Sequence, residues 1–577
     1  MIRLPFLQRY APPTRRSTGL ADLIVFVAVL LLFYGAARVG AGFFVAFRPP
    51  VVMPSVDLDP KNLPYYAARS TLRMFIALGL SILFTLSYGY AAAKSKRAER
   101  VLVPLLDILQ SVPVLGFLSV TVTLFISLFP GSLLGLECAS IFAIFTGQAW
   151  NMAFSFYNSL VTLPKELDEA ATVFRFSKWR RFVSVEIPAS MIGLVWNGMM
   201  SFGGGWFFLA ASEAISVLGK SYTLPGLGSY AAKAVETKNL NSLVWAIVTM
   251  ILVVVVVDQV FWRPVVAWAE KFRMDRSASA NRATSWVLDL LRSARIITHV
   301  SRWFRRLRRK IPRRPVRVLP RIRRRTIRIT AINADLVTGL LIGACLIVGI
   351  YQGGQFIRQE VPSSEFGTTA LLGLYTLIRV ILLLALSCLV WVPVGVAIGF
   401  NPNLARIMQP IVQILASFPA NFVFPAATVI FLKFGIHLDF GSILLMALGA
   451  QWYILFNAIA GAMAVPNDLR EMATCMRLKG WHLWHRLILP AIFPFLITGV
   501  ITASGGAWNA SIVSEVVSWG DTKLTAHGLG SYIAAATDKG DWPRIVLGVG
   551  TMCVFVVGVN RLLWRRLYSI AEAKYRL

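Results

Sequence analysis

The chain has 577 residues, of which 56% are hydrophobic and only 15% are charged. A mean hydropathy of +0.65 excludes an ordinary soluble domain, in which about 25% of residues are charged, and indicates an integral membrane protein. The formal net charge of +31 does not indicate a nucleic-acid partner. Residues 263–330 hold 21 Lys and Arg against three acids, and such segments are retained in the cytoplasm and attracted to anionic membrane lipids.

Mostly apolar runs of about 20 or more residues can each cross a hydrocarbon core of about 30 Å. The sequence predicts an all-α integral membrane protein with about twelve transmembrane helices, six before residue 265 and six after residue 330. The predicted spans lie at about 20–47, 68–93, 101–129, 133–162, 187–215, 242–262, 331–354, 366–400, 405–434, 440–463, 487–516 and 543–563.

This pattern divides the chain into three parts. Residues 1–265 form a first transmembrane domain, 266–330 a basic cytoplasmic connector and 331–577 a second transmembrane domain. Within the connector, Trp286, Leu290, Ile297 and Phe304 recur at near-helical spacing among arginines, which predicts an interfacial amphipathic helix. A solvated linker is the alternative. Basic loops place both termini and the connector in the cytoplasm.

Two charged islands interrupt the apolar pattern, a first island at residues 164–182 and a second island at residues 466–484. Each begins with Pro, carries Glu at its sixth position and leads into a Pro nineteen positions after that Glu. Because a membrane protein has few places for such loops, both are predicted to contact a partner in water. Their matched residues are Glu169 with Glu471, Arg175 with Arg477, Trp179 with Trp481 and Pro188 with Pro490.

The islands are part of a repeat that covers both halves. Ser111 aligns with Ser417 at an offset of 306 residues, whereas Trp206 aligns with Trp508 at an offset of 302. Six spans per half is an even number, so both halves insert in the same orientation. The repeat is therefore parallel, about an axis along the membrane normal, and such repeats enclose a pathway.

Ionisable residues inside spans are candidate pathway residues, because a charge at the centre of a membrane helix costs at least about 2.5 to 3.5 kcal/mol. Arg73 with its repeat partner Arg379, and Glu213 with Glu515, are such residues. They either form an electropositive path for an anion or pair with each other as structural ion pairs. Further candidates to line the pathway are Ser111, Asn151, Trp206, Ser417, Trp508 and Asn509.

The islands resemble the cytoplasmic "EAA" loops of binding-protein-dependent ABC importer permeases, on Glu169, Ala170, Ala171 and Pro188 of the first island and Glu471, Met472, Ala473 and Pro490 of the second. The resemblance implies a fold like that of type I ABC importers, with both transmembrane domains fused in one non-catalytic chain of a bacterial inner membrane. It implies no cofactor in this chain, ATP and Mg²⁺ on two separate cytoplasmic ATPase subunits, and a periplasmic or lipid-anchored substrate-binding protein.

Around Glu213 and Gly226-Leu227-Gly228-Ser229-Tyr230 the sequence is most similar to permeases for nitrate, sulfonate, taurine or bicarbonate. The resemblance therefore implies a small anion as cargo. Ferric iron, thiamine or phosphate carried by the same machinery is one alternative, and a secondary transporter is another. The islands depart from the family at Arg175 and Arg477, where the family usually has Gly.

The remaining polar residues do not suggest chemistry in this chain. His482 and His485 share a helix face, but the sequence offers no Cys or carboxylate at metal-ligand spacing beside them, so no metal site is predicted. The short helix of the first island would present Leu167, Ala170, Ala171 and Phe174 to a groove on a partner.

Overall fold

A computed structural model describes residues 56–111, 113–217, 220–272, 285–293 and 351–574, together with residues 27 and 348. Most of the predicted first and seventh spans and most of the connector lie outside these described residues. The chain divides into two compact units, of which one holds the described residues 256–272 and 285–293 and the other holds residues 56–255 and 351–574.

The first half of the larger unit begins with a 3-10 turn at Pro60–Asn62. Its helices and strands are α1 (Leu63–Lys94), α2 (Lys96–Ser111), α3 (Leu118–Leu128), α4 (Leu134–Val161), α5 (Lys165–Val173), α6 (Lys178–Arg181), α7 (Ile187–Glu213), β1 (Ala214–Val217), β2 (Lys220–Thr223), α8 (Leu227–Glu236) and α9 (Leu240–Val257). The smaller unit contains α10 (Arg263–Ala269) and α11 (Trp286–Ser293).

The second half repeats this order after a helical stretch at residues 351–360. Its elements are α12 (Ser363–Phe400), α13 (Pro402–Ser417), α14 (Phe424–Phe434), α15 (Leu438–Ala464), α16 (Asn467–Cys475), α17 (Gly480–Leu483), α18 (Leu489–Ser514), β3 (Val516–Trp519), β4 (Thr522–Thr525), α19 (Leu529–Lys539), α20 (Trp542–Val559) and α21 (Arg565–Lys574).

Among the described residues, seven helices are long and apolar enough to cross a membrane. They are Pro60–Lys94, Lys178–Glu213, Leu240–Phe272, Ser363–Phe400, Leu438–Ala464, Gly480–Ser514 and Trp542–Ala571. The helical architecture predicted from the sequence is therefore confirmed, while the count of twelve stays a prediction.

The predicted third and ninth spans are not continuous helices. Helix α2 ends at Ser111 and a 3-10 turn at Val114–Phe117 separates it from α3. In the second half, α13 ends at Ser417 and a 3-10 turn at Ala420–Phe422 precedes α14. A proline, Pro113 or Pro419, follows each of these two helices. Phe418, before Pro419, is extended, because proline pushes the residue before it out of the helical conformation.

The membrane helices of each half are packed in the same order. Helix α1 packs on α4 and α4 on α7, and in the second half α12 packs on α15 and α15 on α18. Close approach depends on small residues: a Cβ at Gly395 would lie 2.6 Å from the Cβ of Ala458. Small residues replace large ones at membrane helix contacts because interhelical association there depends on van der Waals packing. One buried apolar core contains residues of both halves, among them Leu118 and Ile492.

Two antiparallel β-hairpins add to the predicted all-α architecture. Strand β1 pairs with β2, and β3 pairs with β4. Each hairpin directly follows a long helix, α7 or α18. Because the 27 residues of α7 extend about 40 Å, the hairpins lie at the end of the helices opposite to the charged islands. We call these two ends the hairpin end and the island end.

In the smaller unit, a π-helical turn at Asp258–Trp262 leads into α10. Arg263 pairs with Asp258 across this turn at 3.3 Å. Helix α11 contains two turns of the predicted interfacial helix and contacts α10. Its Trp286 is exposed, whereas Val287 is buried. The rest of the predicted interfacial helix lies outside the described residues.

Candidate functional site

The first island folds into two short helices, α5 and α6, joined by a tight turn. At the end of α5 the N–H of Phe176 donates to the carbonyl of Ala171 at 3.0 Å, and the N–H of Arg175 donates to that of Thr172 at 3.0 Å. This pair of hydrogen bonds is a Schellman motif, in which the residue just past the end of the helix adopts the left-handed conformation. That residue is Arg175, with φ of 50°.

The second island has the same turn. The N–H of Leu478 donates to the carbonyl of Ala473 at 2.9 Å, and the N–H of Arg477 donates to that of Thr474 at 3.0 Å. Arg477 has φ of 51°. Both arginines therefore adopt the conformation that glycine enters most easily, at a cost of about 1–2 kcal/mol for a residue with a Cβ. Arginine in place of glycine at this position therefore changes the side chain but keeps the turn.

The exposed face of the first island differs in part from the predicted one. Ala171 and Ala473 are only 3% exposed and pack inside the chain, so Ala171 does not face outward as the helix spacing predicted. Leu167 and Ala170 are half-buried, whereas Phe174 is exposed as predicted. Glu169, Glu471 and Met472 are exposed.

Each island also presents a tryptophan, Trp179 or Trp481, and both are 72% exposed. Pro188 and Pro490 occupy the second position of α7 and α18, where a missing N–H is tolerated. A π-helical turn, Phe182–Glu186 or Trp484–Ile488, precedes each long helix. The two islands are thus built alike and stand at the same end of their halves.

The contacts that hold the first island to the helices differ from those that hold the second island. In the first half the buried Glu186 pairs with Lys94 at 2.5 Å and with Arg181 at 2.9 Å, and Arg181 also pairs with Asp168. In the second half Arg470, the repeat partner of Asp168, donates to the carbonyl of Ala462 at 2.6 Å. Partial burial lowers the pKa of the Arg470 guanidinium.

A buried ion network joins three helices of the first half near the hairpin end. Arg73 in α1 donates to Glu137 in α4 at 2.5 Å and to Glu213 in α7 at 2.5 Å. Glu213 also accepts from the Ser70 hydroxyl at 2.6 Å and from the N–H of Gly228 at 2.7 Å. Arg69 pairs with Glu137 as well. Arg73, Glu137 and Glu213 have no solvent exposure.

The second half repeats this network with altered partners. Arg379 donates to Glu515 at 3.0 Å, and Glu515 accepts from the Thr376 hydroxyl at 2.8 Å and from the N–H of Gly530 at 2.7 Å. Asp439, at the position equivalent to Glu137, binds Arg379 at 2.6 Å. The Asp439 side chain is 27% exposed, so this network is less secluded than the first.

These contacts favour the interpretation that the intramembrane charges form structural ion pairs. Arg73 and Arg379 each lie between two carboxylates of their own half, and a buried charge is tolerated when it is paired. The sequence reasoning missed Glu137 and Asp439, which lie near the start of predicted spans. The two acids are separated by 302 residues, which is the offset of the repeat, so the alignment of the two halves would have identified them.

The other candidate pathway residues lie in different environments. Trp206 and Trp508 are 1% exposed and belong to the interior. Asn151 lies 3.5 Å from the hydroxyl of Ser201 within the first half. Asn509 crosses between halves, since its Oδ1 accepts from the N–H of Val114 at 2.8 Å. The side chain of Ser111 lies outside the described part.

Ser417 contacts the glycine-rich part of α7 from the opposite half. A Cβ at Gly203 would lie 2.7 Å from the Ser417 Oγ, so only glycine permits this approach. Beside it is a cavity of about 20 Å³ lined by both halves, including Gln413 and Tyr453. Such a volume holds about one water molecule.

At the hairpin end, the second half contacts the first half directly. The N–H of Gly520 donates to the carbonyl of Val235 at 3.0 Å, and Lys238 pairs with Asp521 at 2.8 Å. The pKa of the Asp521 carboxyl is lowered by the hydrogen bond from the Lys238 ammonium. Lys238 has φ of 54°, the left-handed conformation that Gly540 has at the equivalent position of the second half.

Two segments, residues 82–261 and 391–577, match the family described as binding-protein-dependent transport system inner membrane component. Together they make up more than half of the chain. Each half contains one matched segment, so the repeat found by offset corresponds to two copies of one domain.

Individual relatives are similar over about a third of the chain. A bicarbonate transport system permease protein of Synechococcus elongatus is 27% identical over 181 residues, 31% of this chain and 60% of the relative. A nitrate import permease protein of Leptolyngbya laminosa is 24% identical over 28% of this chain and 55% of the relative. A taurine transport system permease protein of Escherichia coli is 26% identical over 33% of this chain and 67% of the relative.

Proposed function

The chain belongs to the family of binding-protein-dependent transport system inner membrane components, and we propose that it is the permease subunit of an ATP-driven importer. One chain would form the whole pathway from two fused permease domains. Its cargo would be a small anion of the nitrate, sulfonate, taurine or bicarbonate class. The relatives named for bicarbonate, nitrate and taurine support that cargo class.

The matched islands carry this proposal. Two turns of the same geometry stand at the same end of two equivalent halves, and each exposes a tryptophan and a glutamate. An exposed tryptophan beside a short helix is suited to a groove on a partner, because aromatic anchors dominate the energy of interfaces. Two islands call for two partners, which would be cytoplasmic ATPase subunits that bind ATP and Mg²⁺.

The permease itself would have no catalytic role and no cofactor. Closure of the two ATPases on ATP would move the islands toward each other and reorient the halves as rigid bodies, opening the pathway at alternate ends. At the hairpin end a periplasmic or lipid-anchored binding protein would deliver the substrate. The protein would lie in a bacterial inner membrane with both termini in the cytoplasm.

The proposal is tested by copurification of the ATPase with variants of the full chain. Trp179→Ala and Trp481→Ala together should release the ATPase while leaving the thermal stability of the chain unchanged, because both side chains are exposed. Trp245→Ala is the matched control, since Trp245 is 52% exposed on α9, outside the islands. Glu169→Lys with Glu471→Lys should abolish substrate-stimulated ATPase activity.

Two outcomes would contradict the docking assignment: full retention of the ATPase by the double tryptophan variant, or unchanged coupling in the double lysine variant. Uptake that proceeds without ATP would instead identify a secondary transporter. Uptake of ferric iron or thiamine in place of an anion would leave the machinery intact and change only the cargo.

A further inference from the structure

The turn of each island carries one arginine in an unfavourable backbone conformation. Arg175 and Arg477 have φ of 50° and 51°, a region in which a residue with a Cβ is less stable than glycine. The turn itself does not need an arginine, because glycine forms the same Schellman motif without strain. A strained residue of this kind points to a function of its side chain.

The same arginine occurs in both islands although most of their other residues differ. Residues 164–182 and 466–484 are identical at only seven of nineteen aligned positions. The identical residues of the first island are Pro164, Leu167, Glu169, Ala171, Thr172, Arg175 and Trp179. Because the halves share this arginine at a strained position, its side chain has the same role in both islands.

Neither of these two arginines is paired within the described part of the chain. Both side chains are exposed, and neither forms an ion pair with another described residue. The other three arginines of the islands do have partners in the chain, and these pairs are Arg180 with the ring of Phe176 at 4.6 Å, Arg181 with Glu186 at 2.9 Å and Arg470 with the carbonyl of Ala462 at 2.6 Å. The charges of Arg175 and Arg477 are therefore available to a partner outside the chain.

We propose that Arg175 and Arg477 each form an ion pair with a carboxylate of the ATPase subunit that docks on its island. The inference rests on the proposed function and adds a charged contact to the aromatic one. Each arginine lies four residues before the exposed tryptophan of its island, Trp179 or Trp481. Their Cα atoms are thus within about 14 Å, and one subunit contacts both. Arginine suits this position because its planar guanidinium donates two hydrogen bonds to one carboxylate.

An anionic lipid headgroup is the other group that a free guanidinium could bind at the membrane surface. The islands also repeat an exposed glutamate, Glu169 or Glu471, which an anionic lipid surface repels. A protein groove can present charges of both signs at fixed positions. The ATPase is therefore the occupant that fits the charges of the islands.

The test measures how tightly the full chain, in nanodiscs of uncharged phosphatidylcholine, binds the purified ATPase subunit that copurifies with the wild type. Arg175→Gly combined with Arg477→Gly should raise the Kd by about tenfold or more. It should also make the Kd less dependent on salt, because two ion pairs are lost. The unfolding temperature should not fall, because glycine removes the strain. Arg175→Lys with Arg477→Lys keeps both charges and should raise the Kd less.

Lys165→Asn is the matched control for Arg175→Gly. Lys165 is an exposed residue of the first island, and the second island has asparagine at the equivalent position, Asn467. Both substitutions remove one positive charge from the same island. Lys165→Asn should raise the Kd clearly less than Arg175→Gly, because an exposed charge outside a direct pair contributes little.

Four results would overturn the inference. They are an unchanged Kd in the double glycine variant, equal effects of Lys165→Asn and Arg175→Gly, an unfolding temperature lowered by glycine, and an effect of the arginines that appears only when anionic phosphatidylglycerol is added. Lowered unfolding would mean that the arginines hold the turn, and dependence on phosphatidylglycerol would assign them to lipid.

The inference and the proposed function fail in different ways. If Trp179→Ala with Trp481→Ala releases the ATPase while the glycine variants bind it as the wild type does, the arginine contact is wrong and the importer stands. If the wild-type chain binds no ATPase subunit, the proposed function itself is wrong.

Discussion

Replacing Arg73 should destabilise the protein more than replacing its repeat partner Arg379. Arg73 donates to Glu137, Glu213 and the carbonyl of Pro225 with no solvent exposure. Arg73→Met leaves an uncompensated buried charge, at a cost of about 3–5 kcal/mol. Arg379→Met also removes the cation paired with the buried Glu515, but its other partner, Asp439, is partly exposed to water, so the cost should lie at the lower end of about 3–5 kcal/mol.

The free energy of unfolding of the full chain in detergent, followed by tryptophan fluorescence, measures both costs. Arg73→Met combined with Glu213→Gln restores neutrality, and the glutamine oxygen still accepts from Ser70 or from the N–H of Gly228. The double variant should therefore recover part of the loss, about 1 kcal/mol or more. Equal losses at Arg73 and Arg379, or a loss below about 1 kcal/mol at Arg73, would refute this assignment of a secluded structural network.

Further predictions concern the left-handed residues and the contact between hairpin and helix. Arg175→Gly and Arg477→Gly should each stabilise the chain by up to about 1 kcal/mol, seen as a higher unfolding temperature; destabilisation would mean that the arginine side chains hold the turn. Lys238→Glu should speed hydrogen exchange in β3 and β4, because the new carboxylate repels Asp521. Lys238→Gly should speed this exchange less, because glycine relieves the positive φ. Equal exchange rates in the two variants would contradict the ion pair. The pKa of Asp521 is lowered by Lys238, so the contribution of the pair is present above the ordinary value of 3.8 and is lost as pH falls through the lowered one.

Much of the site's position could be predicted from residue spacing. The islands stand out because charged residues interrupt apolar runs, and their pairing follows from the constant offset between Glu169 and Glu471. The positive φ of Arg175 could also have been anticipated, since the resemblance places Gly there. Burial of Ala171 could not, because a short helix with alanines on one side can turn that side toward its own chain or toward a partner.

The sequence left open whether the charges of distant helices pair with each other. Arg73 and Glu213 were recognised as intramembrane charges, but their contact joins helices 140 residues apart, and Glu137 was overlooked between them. Likewise, Ala210 and Ala231 look ordinary in the sequence. The structure shows that both line one cavity together with Asn421 of the other half.

The sequence by itself determined the apolar helices, the two islands and the parallel repeat. Hydrophobicity and charge are local properties of a chain, and a repeat is found by comparing the sequence with itself. The tertiary structure decided which carboxylates neutralise the arginines, which face of an island is exposed and where the halves leave space. Those features depend on side chains brought together across hundreds of residues, whose packing a linear pattern does not encode.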